Sequence, residues 1–141
     1  MENNFYTFKG YQLNENAEIT SSMEDYLEMI CRLSRQQEVI RINELSQRLH
    51  VKPSSASKMV NNLKTLGLVA YEKYGYIKPT EKGAAYGNYL LYRHDVLMEF
   101  LCYINNSEDE LEQVEKIEHF IDEKTVYNIS RVLKLLKETA K

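Results

Sequence analysis

The sequence predicts a mainly α-helical fold with one short β-hairpin near the middle of the chain. Three observations carry this. Only two prolines and five glycines interrupt 141 residues, which leaves room for long helices. Apolar residues recur at helical spacing through most of the chain. The pattern changes in one place, around Gly75, where short apolar and aromatic runs flank a glycine turn.

The elements follow in order. Residues 1–20 are polar and Asn-rich with scattered aromatics, and read as an irregular arm. A helix is expected from Ser21 to about Arg35, with Ser21 and Glu24 as a capping box and Tyr26, Leu27, Ile30 and Leu33 on one face. Ile42, Leu45 and Leu49 fit a helix of two turns. His50-Val51-Lys52 makes a tight break, and Pro53 sits in the first turn of the next helix, where proline is best tolerated. Met59, Val60, Leu63 and Leu66 supply that helix's apolar face, and Gly67 ends it. Leu68–Tyr71 and Tyr76–Pro79 form the hairpin. Two short helices, a brief turn and an immediate hairpin are the layout of a winged helix-turn-helix.

Thr80 is placed to cap a long helix reaching about Ile104. Leu90, His94, Leu97 and Leu101 share one stripe of it, a broad apolar surface expected to need cover from a second copy. Ser107, with Glu110, is expected to cap a helix through about Ile121. A last helix runs from Thr125 to about Thr139, with Val126, Ile129, Val132, Leu133 and Leu136 inward. The expected division is an arm (1–20), a winged domain (21–79) and a helical domain (80–141).

Composition narrows the function. Hydrophobic residues make up 43% and charged residues 28%, ordinary for a globular chain and against wholesale disorder. No apolar run approaches the roughly 20 residues that cross a bilayer, so no membrane partner is expected. MENNFYTFKG lacks the basic start and apolar core of a signal peptide. Cys31 and Cys102 stand far apart, which argues against a disulfide framework or a sulfur-rich metal site, so a cytoplasmic location is expected. The net charge of −3 hides an uneven distribution. Arg41 to Lys82 holds eight basic and three acidic residues, a net of +5. Asn105 to Ser130 holds eight acidic and two basic residues, a net of −6. One block suits phosphate and the other suits cations.

The basic block centres on Lys52, Pro53, Ser54, Ser55, Ser57 and Lys58 at a helix start. Free N–H groups and the helix dipole favour phosphate there, and Ser and Lys reach phosphates and base edges. Lys73 and Tyr74 at the hairpin tip would lie across the nucleic-acid backbone. Serine at a helix start is common, so the winged context is what gives the segment meaning. The acidic block offers Glu115, Glu118 and His119 on one helix face. Asp25 and Glu28 stand at i and i+3 on the first helix, and His94 interrupts an apolar stripe. Each alone is ordinary: a solvated face, a first turn answering the helix dipole, a core histidine. Together, four carboxylates and two imidazoles from three helices can enclose one or two divalent ions. Without sulfur the set suits Mn²⁺ and tolerates Fe²⁺, Co²⁺ or Zn²⁺.

From about Ser22 to Leu136 the sequence resembles the manganese-responsive branch of the diphtheria-toxin-repressor family. The resemblance lies in Ser22-Met23-Glu24-Asp25-Tyr26-Leu27-Glu28, Pro53-Ser54-Ser55 with Lys58-Met59-Val60, Tyr71-Glu72-Lys73-Tyr74, Tyr92-Arg93-His94 and Ile117-Glu118-His119. It implies a winged helix-turn-helix domain followed by a helical metal-binding and dimerisation domain. It further implies Asp25, Glu28, His94, Glu115, Glu118 and His119 as ligands of Mn²⁺, two ions per subunit. The iron-type branch usually has Met in place of Asp25 and Cys in place of Glu115. The implied function is a metal-dependent repressor, a homodimer on double-stranded operator DNA that controls metal-uptake genes, with no small-molecule substrate and no enzymatic activity. An iron- or zinc-responsive repressor on the same fold, or a winged-helix regulator with a vestigial metal site, are the alternatives. A di-metal carboxylate oxidase fits poorly, because its Glu-x-x-His signature is not met: Glu118 stands three residues after Glu115, and His119 one further.

Overall fold

The computed structural model describes residues 19–72 and 75–140. Most of the expected arm, and Lys73 and Tyr74 at the hairpin tip, lie outside the described residues. Helix α1 (Ser21–Ser34) starts where expected, but its cap lies one residue before the expected Ser21. Thr20 takes that role, its hydroxyl accepting from the Met23 N–H at 3.1 Å. Glu24 completes no capping box, because its carboxylate is drawn to Tyr86, Arg93 and His119. The apolar face of α1 (Met23, Tyr26, Leu27, Ile30, Cys31, Leu33) is fully covered.

Strand β1 (Ile40–Arg41) leads into α2 (Ile42–Leu49), whose C-cap His50 adopts φ 55°, a left-handed conformation. Helix α3 (Pro53–Thr65) begins with Pro53 in its first turn and gives way to Gly67 at φ +76°. Strands β2 (Val69–Tyr71) and β3 (Tyr76–Pro79) pair antiparallel, Tyr71 opposite Ile77. β1 adds to the free edge of β3, Ile40 opposite Ile77, giving the order β1-β3-β2. Leu45, Ala56, Val60, Leu63, Leu68 and Ile77 close the core of the winged unit beneath α1.

Helix α4 (Glu81–Asn105) has 25 residues, about 37 Å at ~1.5 Å per residue. Thr80 caps it, accepting from the Gly83 N–H at 3.0 Å and donating to the Gly67 carbonyl at 2.6 Å. Two glycines let α4 approach its neighbours. A Cβ on Gly83 would stand 1.7 Å from the Leu68 carbonyl oxygen, and one on Gly87 would stand 2.1 Å from Cys31 Sγ. The N-terminal part of α4 therefore packs directly on α1 and the hairpin. Its C-terminal part builds a second core, Leu97 and Leu101 with Val114.

Helix α5 is short (Leu111–Ile117) and runs into a 3₁₀ turn, Glu118–Phe120. The helix expected from Ser107 to Ile121 is thus trimmed at both ends. Ser107 Oγ instead donates to the Glu110 carboxylate at 2.7 Å, four residues before the first turn, and the Asp109 side chain accepts from the Leu111 N–H. Helix α6 (Glu123–Thr139) completes the unit with Val126 and Leu133 buried. Two burial expectations change. Leu90, Leu97 and Leu101 are 0%, 1% and 7% exposed, already covered by their own chain. Val132, expected inward, faces out, as do Ile104, Leu111 and Leu135.

Candidate metal centre and nucleic-acid face

Three elements bring the acidic and imidazole side chains together. α1 presents Glu24, Asp25 and Glu28; α4 presents His94; α5 and its 3₁₀ turn present Glu115, Glu118 and His119. Tightening from α to 3₁₀ places two consecutive residues in the site. Glu118 points inward at 1% exposure and His119 stands beside it.

The geometry resolves into two overlapping sets. Asp25, Glu118 and His119 form one, and Glu28, His94 and Glu118 the other; within each set the ligand atoms lie within 4.8 Å of one another. Glu118 is common to both. Its Oε2 is 3.2 Å from His94 Nδ1 and its Oε1 is 3.8 Å from His119 Nε2. His119 Nε2 lies 2.8 Å from Asp25 Oδ1. Five of the six expected ligand positions are therefore grouped. Glu115 is exposed and belongs to neither set. It lines a cavity of about 250 Å³ with Asp25, Glu28 and Glu118, together with Arg48, Leu49 and His50 at the end of α2.

The electrostatics reflect clustered acids. Burial, and then the Glu118 charge, push the Glu28 carboxyl up to about 7. Burial alone would lower His119, but its hydrogen bonds to Asp25 and Glu24 outweigh this and hold it at about 9. His94 is raised chiefly by its hydrogen bond to Glu118. One oxygen of Glu28, Oε1, is buried with no hydrogen-bond partner among the described residues. A buried carboxylate oxygen left unpaired is costly. A divalent cation would satisfy it, and the donor set of carboxylate oxygens and imidazoles matches such an ion. The residues present fit the group.

Glu24 was not among the expected site residues. Its Oε1 stands 2.8 Å from His119 Nδ1, Arg93 approaches the same oxygen at 3.4 Å, and the Tyr86 hydroxyl donates to its Oε2. Burial opposes its ionisation, yet the bonds from His119 and Tyr86 and the Arg93 charge hold it below the usual carboxylate range. Its position immediately before Asp25 was the available sequence signal. It was absorbed by the capping motif.

On the winged unit, no side chain caps the start of α3 and its first turn holds no acid. Lys52 is the N-cap, Pro53 follows, Ser54, Ser55 and Lys58 are exposed, and Ser57 is half-buried. The N–H groups of Ser54 and Ser55 have no helical partner and face outward with the positive end of the dipole. β1 adds Arg41, which opens the basic block, 5.1 Å from the centre of the Tyr76 ring and donating to the Tyr76 hydroxyl at 3.2 Å. No helix among the described residues is long and apolar enough to cross a membrane.

Comparison with known proteins agrees with both faces. Residues 18–77 match the family described as iron dependent repressor, N-terminal DNA binding domain. Residues 80–140 match iron dependent repressor, metal binding and dimerisation domain. The transcriptional regulator MntR of Bacillus subtilis is 36% identical over 120 residues, covering 84% of each chain. That of Geobacillus kaustophilus is 37% identical, covering 84% of this chain and 85% of its own. The solved structure of the manganese regulator SloR superposes with a TM-score of 0.71 at 27% identity over 79% of this chain; the match spans about half, 53%, of that longer one. With a DNA-binding domain and a metal-binding and dimerisation domain matched in order, the chain belongs to the iron-dependent repressor family, metal-dependent DNA-binding regulators of transcription that act without catalysis.

Proposed function

We propose that this chain is a manganese-responsive repressor that binds double-stranded operator DNA as a cytoplasmic homodimer and controls metal-uptake genes. The observation that carries the reading is Glu118, a buried carboxylate shared by two sets of carboxylate and imidazole donors with no sulfur among them. The relatives named for manganese regulation support the choice of metal. In this reading residues 21–79 read DNA and residues 80–141 bind metal and pair two subunits. Asp25, Glu28, His94, Glu118 and His119 are the ligands, and Glu115 on the cavity wall completes them.

Two divalent cations would supply four positive charges against the four carboxylates. The protein's part is positional. Asp25 and Glu28 lie on α1, which packs on the winged core; His94, Glu115, Glu118 and His119 lie on the helical unit. Mutual repulsion among the carboxylates opposes that alignment, and bound charge reverses it. The position of α1 then sets the spacing of two α3 helices across the dimer, which must suit half-sites about 34 Å apart. Tighter binding of metal to the DNA-competent arrangement is sufficient to shift the population. On DNA, Lys52 and Lys58 meet phosphate, Ser54, Ser55 and Ser57 with Pro53 position the helix start, and Lys73 and Tyr74 belong to the wing contact.

The test is binding to DNA selected from a random pool, across Mn²⁺, Fe²⁺, Co²⁺ and Zn²⁺ at fixed salt. Mn²⁺ should promote binding at physiological concentration, and Glu118→Ala should abolish the response. A response confined to Fe²⁺ or Zn²⁺ would reassign the metal. Unchanged affinity in a chelator would make the site vestigial.

A further inference from the structure

We propose that Glu24, a carboxylate outside the ligand set, is a positioning residue that fixes the His119 imidazole with its Nδ1–H facing Glu24 and its Nε2 on the side of the Asp25 and Glu118 oxygens, where a cation would bind. The proposal rests on the metal reading above and concerns how one ligand is aimed. Nδ1 is 2.8 Å from Glu24 Oε1. An ionised carboxylate only accepts hydrogen bonds, so a proton on Nδ1 faces Glu24; Nε2 meets Asp25 Oδ1 at the same 2.8 Å, and a cation held by Asp25 and Glu118 would take the place of the proton there. Arg93 Nη2 also approaches Nδ1, at 3.2 Å, and would be its donor in the opposite tautomer. That tautomer sets the Nδ1 lone pair against Glu24 Oε1 at 2.8 Å and leaves no lone pair on Nε2 for a cation. With a cation on the Nε2 side, the Glu24 contact therefore keeps the remaining proton on Nδ1.

Glu24 is itself fixed. Tyr86 and Arg93 stand seven residues apart on α4, two turns on one face, and each meets a Glu24 oxygen. The Arg93 side chain is 4% exposed and its Nε has no partner among the described residues, so the Glu24 contact holds a nearly enclosed guanidinium. Three elements converge on one carboxylate: α1 supplies it, α4 grips it, and it aims a residue of the turn after α5. Hydrogen-bond partners of metal-bound histidines commonly matter by about 10–100-fold in metal affinity.

The experiment uses the full chain. Mn²⁺ affinity is measured by the electron paramagnetic resonance of free Mn²⁺, and the His119 tautomer by ¹⁵N imidazole spectra with Zn²⁺ as the diamagnetic probe. Glu24→Ala should weaken Mn²⁺ binding by ~10–100-fold. Glu24→Gln retains a carbonyl acceptor for Nδ1–H and should recover most of the loss. Wild-type spectra should show Nδ1 protonated and Nε2 bound to metal; this readout needs no variant, so a poorly folding Glu24→Ala does not remove the test. Metal on Nδ1, or wild-type Mn²⁺ affinity in Glu24→Ala alongside lost affinity in His119→Ala, overturns the positioning role alone. Wild-type affinity in His119→Ala overturns the ligand assignment and this proposal with it.

Discussion

Gly87 lets α4 approach α1 closely at Cys31, and Gly87→Ala measures how much the site depends on it. The added Cβ would stand 2.1 Å from Cys31 Sγ and 2.9 Å from Cys31 Cβ. Ordinary contacts need about 3.5–4.0 Å, so the helices must part by ~1.5 Å or Cys31 must leave its packed position. Overpacking of this kind costs about 1–3 kcal/mol. Alanine returns up to ~1 kcal/mol of helix propensity, leaving a net loss of about 0–2 kcal/mol. The same displacement carries Asp25 and Glu28 on α1 away from His94 on α4, so Mn²⁺ affinity should fall although no ligand changed. Cys31→Ala removes Sγ but leaves Cβ, and its own cost is about 1 kcal/mol for one buried methylene-sized group. The double variant should therefore be more stable than the sum of the single losses by about 1 kcal/mol. Urea denaturation at fixed protein concentration, without metal, gives the stabilities, and a Mn²⁺ titration gives the affinity. Single losses that add within about 0.3–0.5 kcal/mol, or a Gly87→Ala protein with unaltered Mn²⁺ binding, would refute the reasoning.

Lys58 is exposed near the start of α3, and Lys58→Ala should lower the log–log salt slope of DNA binding by ~0.9, one phosphate contact; an unchanged slope removes it from the interface. Val132 and Leu135 on α6 are 40% and 51% exposed, and with Ile104 and Leu111 they are part of the apolar surface open to a partner subunit. Leu135→Glu should shift sedimentation toward monomer at micromolar concentration, and an unshifted dimer would place the interface elsewhere. Burial pushes the Cys31 thiol up to about 11, so at pH 8 almost no thiolate is present and alkylation by iodoacetamide should reach Cys102 first. Cys31 should react only as the pH approaches 11 or the chain unfolds; equal rates at pH 8 would show that α1 and α4 separate readily.

Most of the fold was legible because its signals are local. Pro53 in a first turn, Gly67 after a last turn and the apolar spacing of α1 and α4 each mark an element without reference to the rest of the chain. The misses share one cause, competition from distant partners. Glu24 matched a capping box, yet residues 62, 69 and 95 positions away claim its carboxylate. Strand β1 has two residues, too few to display a period, and exists because β3 offers an edge. Leu90, Leu97 and Leu101 read as surplus apolar area because their cover comes from α1, α5 and α6 of the same chain. In the candidate site, residue types and spacing pointed to Asp25, Glu28, His94, Glu118 and His119, which the fold groups. Glu115 lies one turn before Glu118, exposed on the cavity wall, and groups with neither set.

The brevity of α5 bears on what a metal-binding constant for this chain would contain. Seven residues fall below the length at which a helix holds itself together in water, about 12–15. Val114 is its one buried residue, with Ile117 and Ile121 partly buried beside it, so hydrophobic cover offsets only part of the lost chain entropy. Much of what orders the span from Ser107 to Asp122 is then the side chains it sends into the site. Cation uptake becomes partly a local folding reaction, and its free energy includes the ordering of that span. Affinity can accordingly be tuned at positions that touch no ligand. An exposed residue such as Gln113, exchanged for one of weaker or stronger helix propensity, resets the concentration at which the protein responds while leaving the coordination chemistry as it was.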